Sequence, residues 1–462
     1  MALLQRSELL KTVEGIPGTQ ASPTWAGSDA TDVLDLNFTQ QRTVNPRQAA
    51  RPSLSRTVET IGRSSAQVSF SADAKGSGTA LTAPDYGEFL EACLMSEQFV
   101  VVLALASAAT LYVGDLLTGG TSGATGIVMR TVSATAAVPI FPLSGTFGNS
   151  EALTSAYGST VPNTDTTALP GTNTALCWRP WSQPALTFAT TSTWSGSDPS
   201  VGETIIATNS TSGLMEGGGT ILAVNTTTTT VEWNWGTLTA SSTLVSTSGK
   251  TATVHGTPAI TQTEGKSLTM RPNRDGLARP VYGAKGTFAL QGEAGAQSRF
   301  NFTFTGKAGT PTDIGLQTGA SFATTVPPRL ASGLVMIDGI AVPVKSFQVD
   351  LNNTVVMRAN ANSAEGDLRA EITGREPTLT LEVDQIGKGN YDFWTKWLNS
   401  TTARIGIQLG STNGNIIAVV AGAAQITEIS DGDVDGVATH TISYALRATT
   451  ADGDDELFIG HG

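Results

Sequence analysis

The chain has 462 residues, with 27 Lys and Arg against 39 Asp and Glu, a net charge of −12, 50 Gly, 3 His and 2 Cys. Hydrophobic residues at 39% suffice for the cores of two to four domains, while charged residues at 14% leave the surface to Thr, Ser, Gly and Asn, which favours strands and tight turns. The acidic balance argues against a phosphate-binding surface, two cysteines cannot build a disulfide scaffold or a four-thiolate site, and only His255, His440 and His461 are available as imidazoles.

Residues 1–30, punctuated by Gly15, Pro17, Gly18, Pro23 and Gly27, predict an extended arm. No basic stretch followed by an apolar run opens the chain, so no signal peptide is expected. Leu34, Leu36 and Phe38 alternate with polar residues, as do Val68, Phe70 and Ala72, the period-2 pattern of half-buried strands. Between them, residues 40–63 are polar and carry Arg42, Arg47, Arg51, Arg56 and Arg63. Residues 84–93 place Tyr86, Phe89, Leu90 and Cys93 on one helical face. The apolar stretch 99–109 is far shorter than the roughly 20 residues a spanning helix needs, so no membrane insertion is expected.

The same order returns later. Phe347, Val349 and Leu351 alternate with polar residues, a polar stretch 352–375 follows, then Leu379, Leu381 and Val383, then a helix at 390–398 with Asn390 as its N-cap. Val33, Thr43, Arg47 and Asp73 recur as Val344, Thr354, Arg358 and Asp384, each 311 residues on, although only seven of 41 aligned positions are identical. Tyr86 and Phe89 align with Tyr391 and Trp394, Phe300, Phe302 and Phe304 with His440, Ile442 and Tyr444, and residues 287–290 with 426–429. One strand–arm–strand–helix–strand unit is therefore written twice, and its first copy carries roughly 165 extra residues. Within that insertion, residues 113–117 and 121–123 resemble 201–205 and 211–213, which predicts small β-modules joined near 177–181, with the threonine run 226–230 as a solvated edge or loop.

The chemistry-bearing motifs are weak. Asp431, Asp433 and Asp435 match the start of a calcium loop, but Ile442 stands where its bidentate Glu belongs, so they predict an acidic hairpin with calcium as the lesser reading. The glycine runs lack the Lys-Ser/Thr of a phosphate loop, and no Gly-x-Ser-x-Gly elbow occurs between a clear strand and helix. His440 reads as a satisfied sheet residue and His461 as a tail residue. Trp178, Trp181, Trp194, Trp233 and Trp235 are the aromatics a carbohydrate cleft could use, and two carboxylates could then serve a glycosidase. No cofactor, resident metal or catalytic residue is assigned, and an enzyme is not expected. The two polar stretches are long and mixed in charge, which suits arms that reach a neighbouring subunit, through Arg42, Arg47, Arg51, Arg56, Arg63, Arg358, Arg369 and Arg375.

Several segments in the right order (15–38, 63–73, 76–80 leading into 83–93, 282–290, 300–306, Pro328, 346–351 and 391–394) resemble the tail tube, or major tail, proteins of long, non-contractile-tailed bacteriophages. The likeness covers roughly 1–96 and 265–462 and leaves the insertion unexplained. The resemblance implies an all-β fold with minor α. Joined to the repeat read above, this gives an arm (1–30), a first sandwich/barrel unit (31–96 with 265–325) and a second (326–462), each flanked by one helix, while the β-modules inserted at 97–264 are read from the sequence alone. The resemblance implies rings that stack into a tube around the tape-measure protein, capped by tail-terminator and distal tail proteins, through which double-stranded DNA passes unbound. With two units per chain, a pseudo-hexameric trimer is expected, located in the virion and made in the host cytoplasm. Candidates for the lumen are Asp35, Ser69, Ser71, Asp73, Thr380, Glu382 and Asp384. The alternative is a β-rich adhesin or carbohydrate-binding surface protein.

Overall fold

The computed structural model describes residues 6–14, 18, 25–47, 55, 58–144, 147–166, 173–181, 185–190, 194–195, 199, 204–208, 215–225, 228–236, 243–246, 250–262, 266–330, 333–363, 366–450 and 453–462. The fold is all-β, with two short helices, α1 (Gly87–Ala92) and α2 (Phe393–Leu398). Eight antiparallel strands form its central sheet: β1 (Leu34–Asn45), β2 (Thr60–Asp73), β3 (Val281–Glu293), β4 (Arg299–Ala308), β5 (Val344–Asp350), β6 (Thr378–Asp384), β7 (Ile417–Val434) and β8 (Val437–Arg447).

Their spatial order is β1-β2-β4-β3-β5-β6-β8-β7. The first four and the last four strands thus follow one order, β1 matching β5, β2 matching β6, β4 matching β8 and β3 matching β7. The registers match too. Val68 lies opposite Phe38 and Leu379 opposite Val349; Ala72 lies opposite Phe300 and Val383 opposite His440. The alignment of 287–290 with 426–429 is shifted by two, since Thr287 faces Thr303 as Glu428 faces Ser443, and Leu290 faces Phe300 as Asp431 faces His440. Thr427 is a bulge residue, so Glu428, not Thr427, takes the place after Ile426 in the ladder with β8.

Alternation decides which side is buried. Val68, Phe70, Ala72, Phe300, Phe302 and Phe304 point into the core, where Phe89 of α1 lies 4.8 Å from Phe70 between ring centroids. Leu379, Leu381, Val383, Ile442 and Tyr444 do the same in the second half. Each Val, Leu, Ile or Phe among them contributes about 1.5–3 kcal/mol on burial.

The ends differ from the sequence expectation. Ser7–Val13 is not a free arm: it pairs along its length with Leu268–Arg274, burying Leu9 and Leu10. α2 is capped by Asp392, whose Oδ1 accepts from Thr395 N at 2.9 Å, rather than by Asn390. Trp394, aligned with the buried Phe89, is 39% exposed. His461 is not a tail residue but the end of a core strand, Phe458–His461, packed edge-on to Trp178.

The insertion holds two modules of one topology. In the second, six strands close a barrel in the order Ala185–Thr190, Thr228–Gly236, Met215–Asn225, Thr204–Thr208, Thr243–Ser246, Thr251–Gln262. The first repeats it with Met95–Leu111, Val132–Ser144, Thr125–Val128, Leu116–Gly119 and Leu153–Ser155, and a bridge between Thr164 and Leu105 closes the circuit. Of the threonine run, Thr228–Thr230 lie in a barrel strand paired on both sides, not at a solvated edge, and Thr229 is buried, accepting from Trp194 Nε1 at 3.2 Å; Thr226 and Thr227 lie outside the described residues.

Candidate functional site

The sheet has one face in the core and one polar face, and registers lay the polar face out as rows. One row runs Asp73–Arg299–Gln291–Gln348–Thr380–Ser443–Glu428, crossing from the first half into the second. The next runs Ser71–Asn301–Ala289–Asp350–Thr378–Ala445. A third holds Glu293–Ser346–Glu382–Thr441–Ser430. Ser69, Ser71, Asp73, Thr380, Glu382 and Asp384 therefore share one face. Asp35 sits where the β1–β2 pairing slips between Leu34 and Asn37, with φ 53°, and is exposed.

On these rows Asp73, Glu293, Asp350, Glu382 and Glu428 meet one guanidinium, Arg299, which lies 3.2 Å from Asp73. Ser71 Oγ donates to Asn301 Oδ1 at 2.7 Å, and Ser346 Oγ donates to Glu382 Oε2 at 3.0 Å. Along these three rows carboxylates outnumber cations, with Lys345 Nζ lying 3.6 Å from Glu382 Oε1, and the remaining side chains are mostly uncharged Ser, Thr, Asn and Gln.

The sheet is open. β3 pairs with β4 on one side and, through Ala289–Glu293, with β5 on the other. Its counterpart β7 pairs with β8, but among the described residues Glu428–Val434 has no strand on its other side. At the opposite end, among the described residues, β1 pairs with β2 alone. The two halves are thus joined by an edge pairing whose equivalents at the two ends of the sheet have no partner strand among the described residues.

The arms follow the same logic. In the second half, Asn353–Ala359 and Asp367–Arg375 form a hairpin packed against β3 and β4 of the first half. Arg63 Nε donates to Asp367 Oδ1 at 2.6 Å, and Lys285 Nζ, 1% exposed, lies 3.1 Å from Glu371. Burial raises the Glu371 carboxyl, but bonding to Arg369 and the charge of Lys285 outweigh it and hold the group below its ordinary value. Arg375 donates to Glu456 and Asp454, each at 2.7 Å. Arg369 bonds Glu371 on its own strand and Arg375 the C-terminal segment of the second half, while Arg63 is held by the second arm, so all three are engaged within the chain; Arg358 is exposed on the hairpin. In the first half Arg42 and Arg47 are exposed, and Arg51 and Arg56 lie outside the described residues.

Asp435 and Gly436, with φ 52° and 83°, form the two-residue turn between β7 and β8. Asp433 Oδ1 accepts from Gly436 N at 2.8 Å, and Asp431 Oδ1 lies 2.9 Å from His440 Nδ1. The three aspartates therefore serve a hairpin, and among the described residues no group of three or more His, Cys, Asp or Glu could hold a metal ion. Trp178 and Trp194 are buried and Trp181 is 9% exposed, so none offers a stacking platform; the side chains of Trp233 and Trp235 lie outside the described residues. Among the described residues no helix is long and apolar enough to cross a membrane.

Sequence reasoning missed Glu14. Its carboxylate accepts from Gly18 N, Ser267 Oγ, Thr269 Oγ1 and Gly283 N, all within 2.8 Å, and seams the N-terminal segment to the first half. Nothing around Glu14 in the sequence marks this, since three of its four partners lie more than 250 residues away. No protein-family model matches the chain, and no curated protein matches it.

Proposed function

We propose that this chain is the repeating subunit of a bacteriophage tail tube: a structural virion protein, without an active site, whose copies close into rings that stack and conduct double-stranded DNA. The observation that carries the reading is the open eight-stranded sheet, whose two unpaired edges are the equivalents of the edges that join its own halves. Eight strands closed on themselves would leave an interior filled by side chains. Three chains supply 24 strands, which at about 4.8 Å spacing and a tilt near 40° close a barrel roughly 45–50 Å between opposing backbones. That bore admits a duplex. The acidic, short-chained face lining it repels phosphate, so DNA slides rather than sticks.

The ring is a trimer with pseudo-sixfold symmetry, and the inserted modules hang outside it. Tape-measure protein occupies the bore before DNA, and tail-terminator and distal tail proteins meet the two ends. Negative-stain microscopy of purified protein tests the reading: hollow rings or tubes of one diameter, with threefold averages, are expected. Dispersed monomers at high concentration and physiological salt would overturn it.

A further inference from the structure

The halves of this chain contain the template for their own closure. In β3, Ala289 lies opposite Asp350 of β5, Leu290 opposite Val349 and Gln291 opposite Gln348. Both strands have exact counterparts fixed by shared partners. Leu290 faces Phe300 as Asp431 faces His440, so Ala289, Leu290 and Gln291 correspond to Ser430, Asp431 and Gly432. Val349 faces Leu379 as Phe38 faces Val68, so Asp350, Val349 and Gln348 correspond to Thr39, Phe38 and Asn37. Resting on the self-closing sheet proposed above, we infer that a second copy lays its β1 antiparallel along the free edge of β7, with Thr39 opposite Ser430, Phe38 opposite Asp431 and Asn37 opposite Gly432, and its arm crossing the C-terminal end of α2.

The arm's path comes from the same template. Where β5 leaves the sheet, Asn353 Nδ2 donates to Cys93 O, at the C-cap of α1, and to Gly286 O, at 2.7 and 3.0 Å. The C-cap of α2 is Asn399, and Ile426 takes the place of Gly286. α1 buries Phe89 and Leu90 completely, whereas Trp394, Trp397 and Leu398 of α2 are 39%, 37% and 79% exposed. The arm of β1 and β2 carries a matching pair, Val44 opposite Ile61, which are 49% and 61% exposed. Charge agrees with shape. The free edge and its turn hold Glu428, Asp431, Asp433 and Asp435, and the arm holds Arg42, Arg47, Arg51 and Arg56.

Cysteine cross-linking reads the register directly. Thr39 and Ser430 are both exposed, and the native Cys93 and Cys177 are buried. In assembled protein carrying Thr39→Cys and Ser430→Cys, mild oxidation is expected to convert most chains into covalent dimers and trimers on non-reducing gels. The two-residue-shifted pair, Thr39→Cys with Glu428→Cys, is expected to cross-link at least fivefold less. Leu398→Glu is expected to lower the assembled fraction at least tenfold while leaving the Tm of the unassembled chain within a few degrees.

Rings or tubes of the double variant that cross-link only in the shifted pair, or in neither, overturn the register while the tube reading stands. Normal assembly of Leu398→Glu overturns the arm's path. A wild-type chain that forms no closed assembly overturns both.

Discussion

Lys285 Nζ and Glu371 Oε2 lie 3.1 Å apart, tying a buried ammonium of the first half to the arm of the second. Removing the acid leaves that ammonium without its carboxylate, so Glu371→Gln is expected to cost about 2–4 kcal/mol in urea unfolding. The pH dependence has a definite sign. The folded carboxyl titrates below its ordinary value, so its contribution is complete above the unfolded-state range near pH 4.3 and is withdrawn as pH falls through the lowered folded value. Melting curves from pH 3 to 7 should show a shallower acid limb in Glu371→Gln than in wild type.

His461 provides a second pH lever. Burial lowers its folded value to about 3, so the unfolded chain takes up a proton that the folded chain refuses. Stability should therefore fall as pH drops from about 6.5 towards 3, by up to roughly 1.4 kcal/mol per unit. His461→Leu, which costs the 3.4 Å contact with Tyr86 Oη, is expected to flatten that slope even if it lowers Tm at pH 7. An unchanged difference between Tm at pH 5 and at pH 7 would exclude the assignment.

Gly406 allows the first inserted module to rest on the second half. A Cβ there would stand 2.2 Å from Val113 O, and Gly114, at φ 85°, lies against the same residue. Gly406→Ala is expected to cost about 1–3 kcal/mol and to loosen the module, exposing residues 95–166 to limited proteolysis before the central sheet unfolds.

Glu14 collects four donors, two of them backbone N–H groups. Glu14→Ala strands those donors and is expected to cost about 3 kcal/mol, read as a shift of the denaturation midpoint, with Glu14→Gln recovering part of the loss.

Much of the sheet was legible because alternation is a local signal. Val68, Phe70 and Ala72, and Phe300, Phe302 and Phe304, announced their buried face without reference to any partner. The repeat was legible because residues 33–73 and 344–384 align without a gap. Thr427 escaped because an ungapped alignment cannot show a bulge, although the three-residue spacing of Ile426 and Ile429, which face Tyr444 and Ile442, is the trace that one extra strand residue leaves. Trp394 misled because the helices sit in different surroundings: Trp178 packs close to Gly87 of α1, whereas α2 keeps Trp394, Trp397 and Leu398 exposed. His461 was illegible for a simpler reason, since its partner Tyr86 lies 375 residues away.

The covalent link between the halves has a kinetic consequence. Every second joint of a ring built from this chain is made during folding, at the local concentration a tether imposes, so only three joints remain between chains and the ring assembles in two bimolecular encounters where separate units would need five. The edge of β3 is occupied from the start, and each newly made chain presents two sticky borders to the crowded cell instead of four.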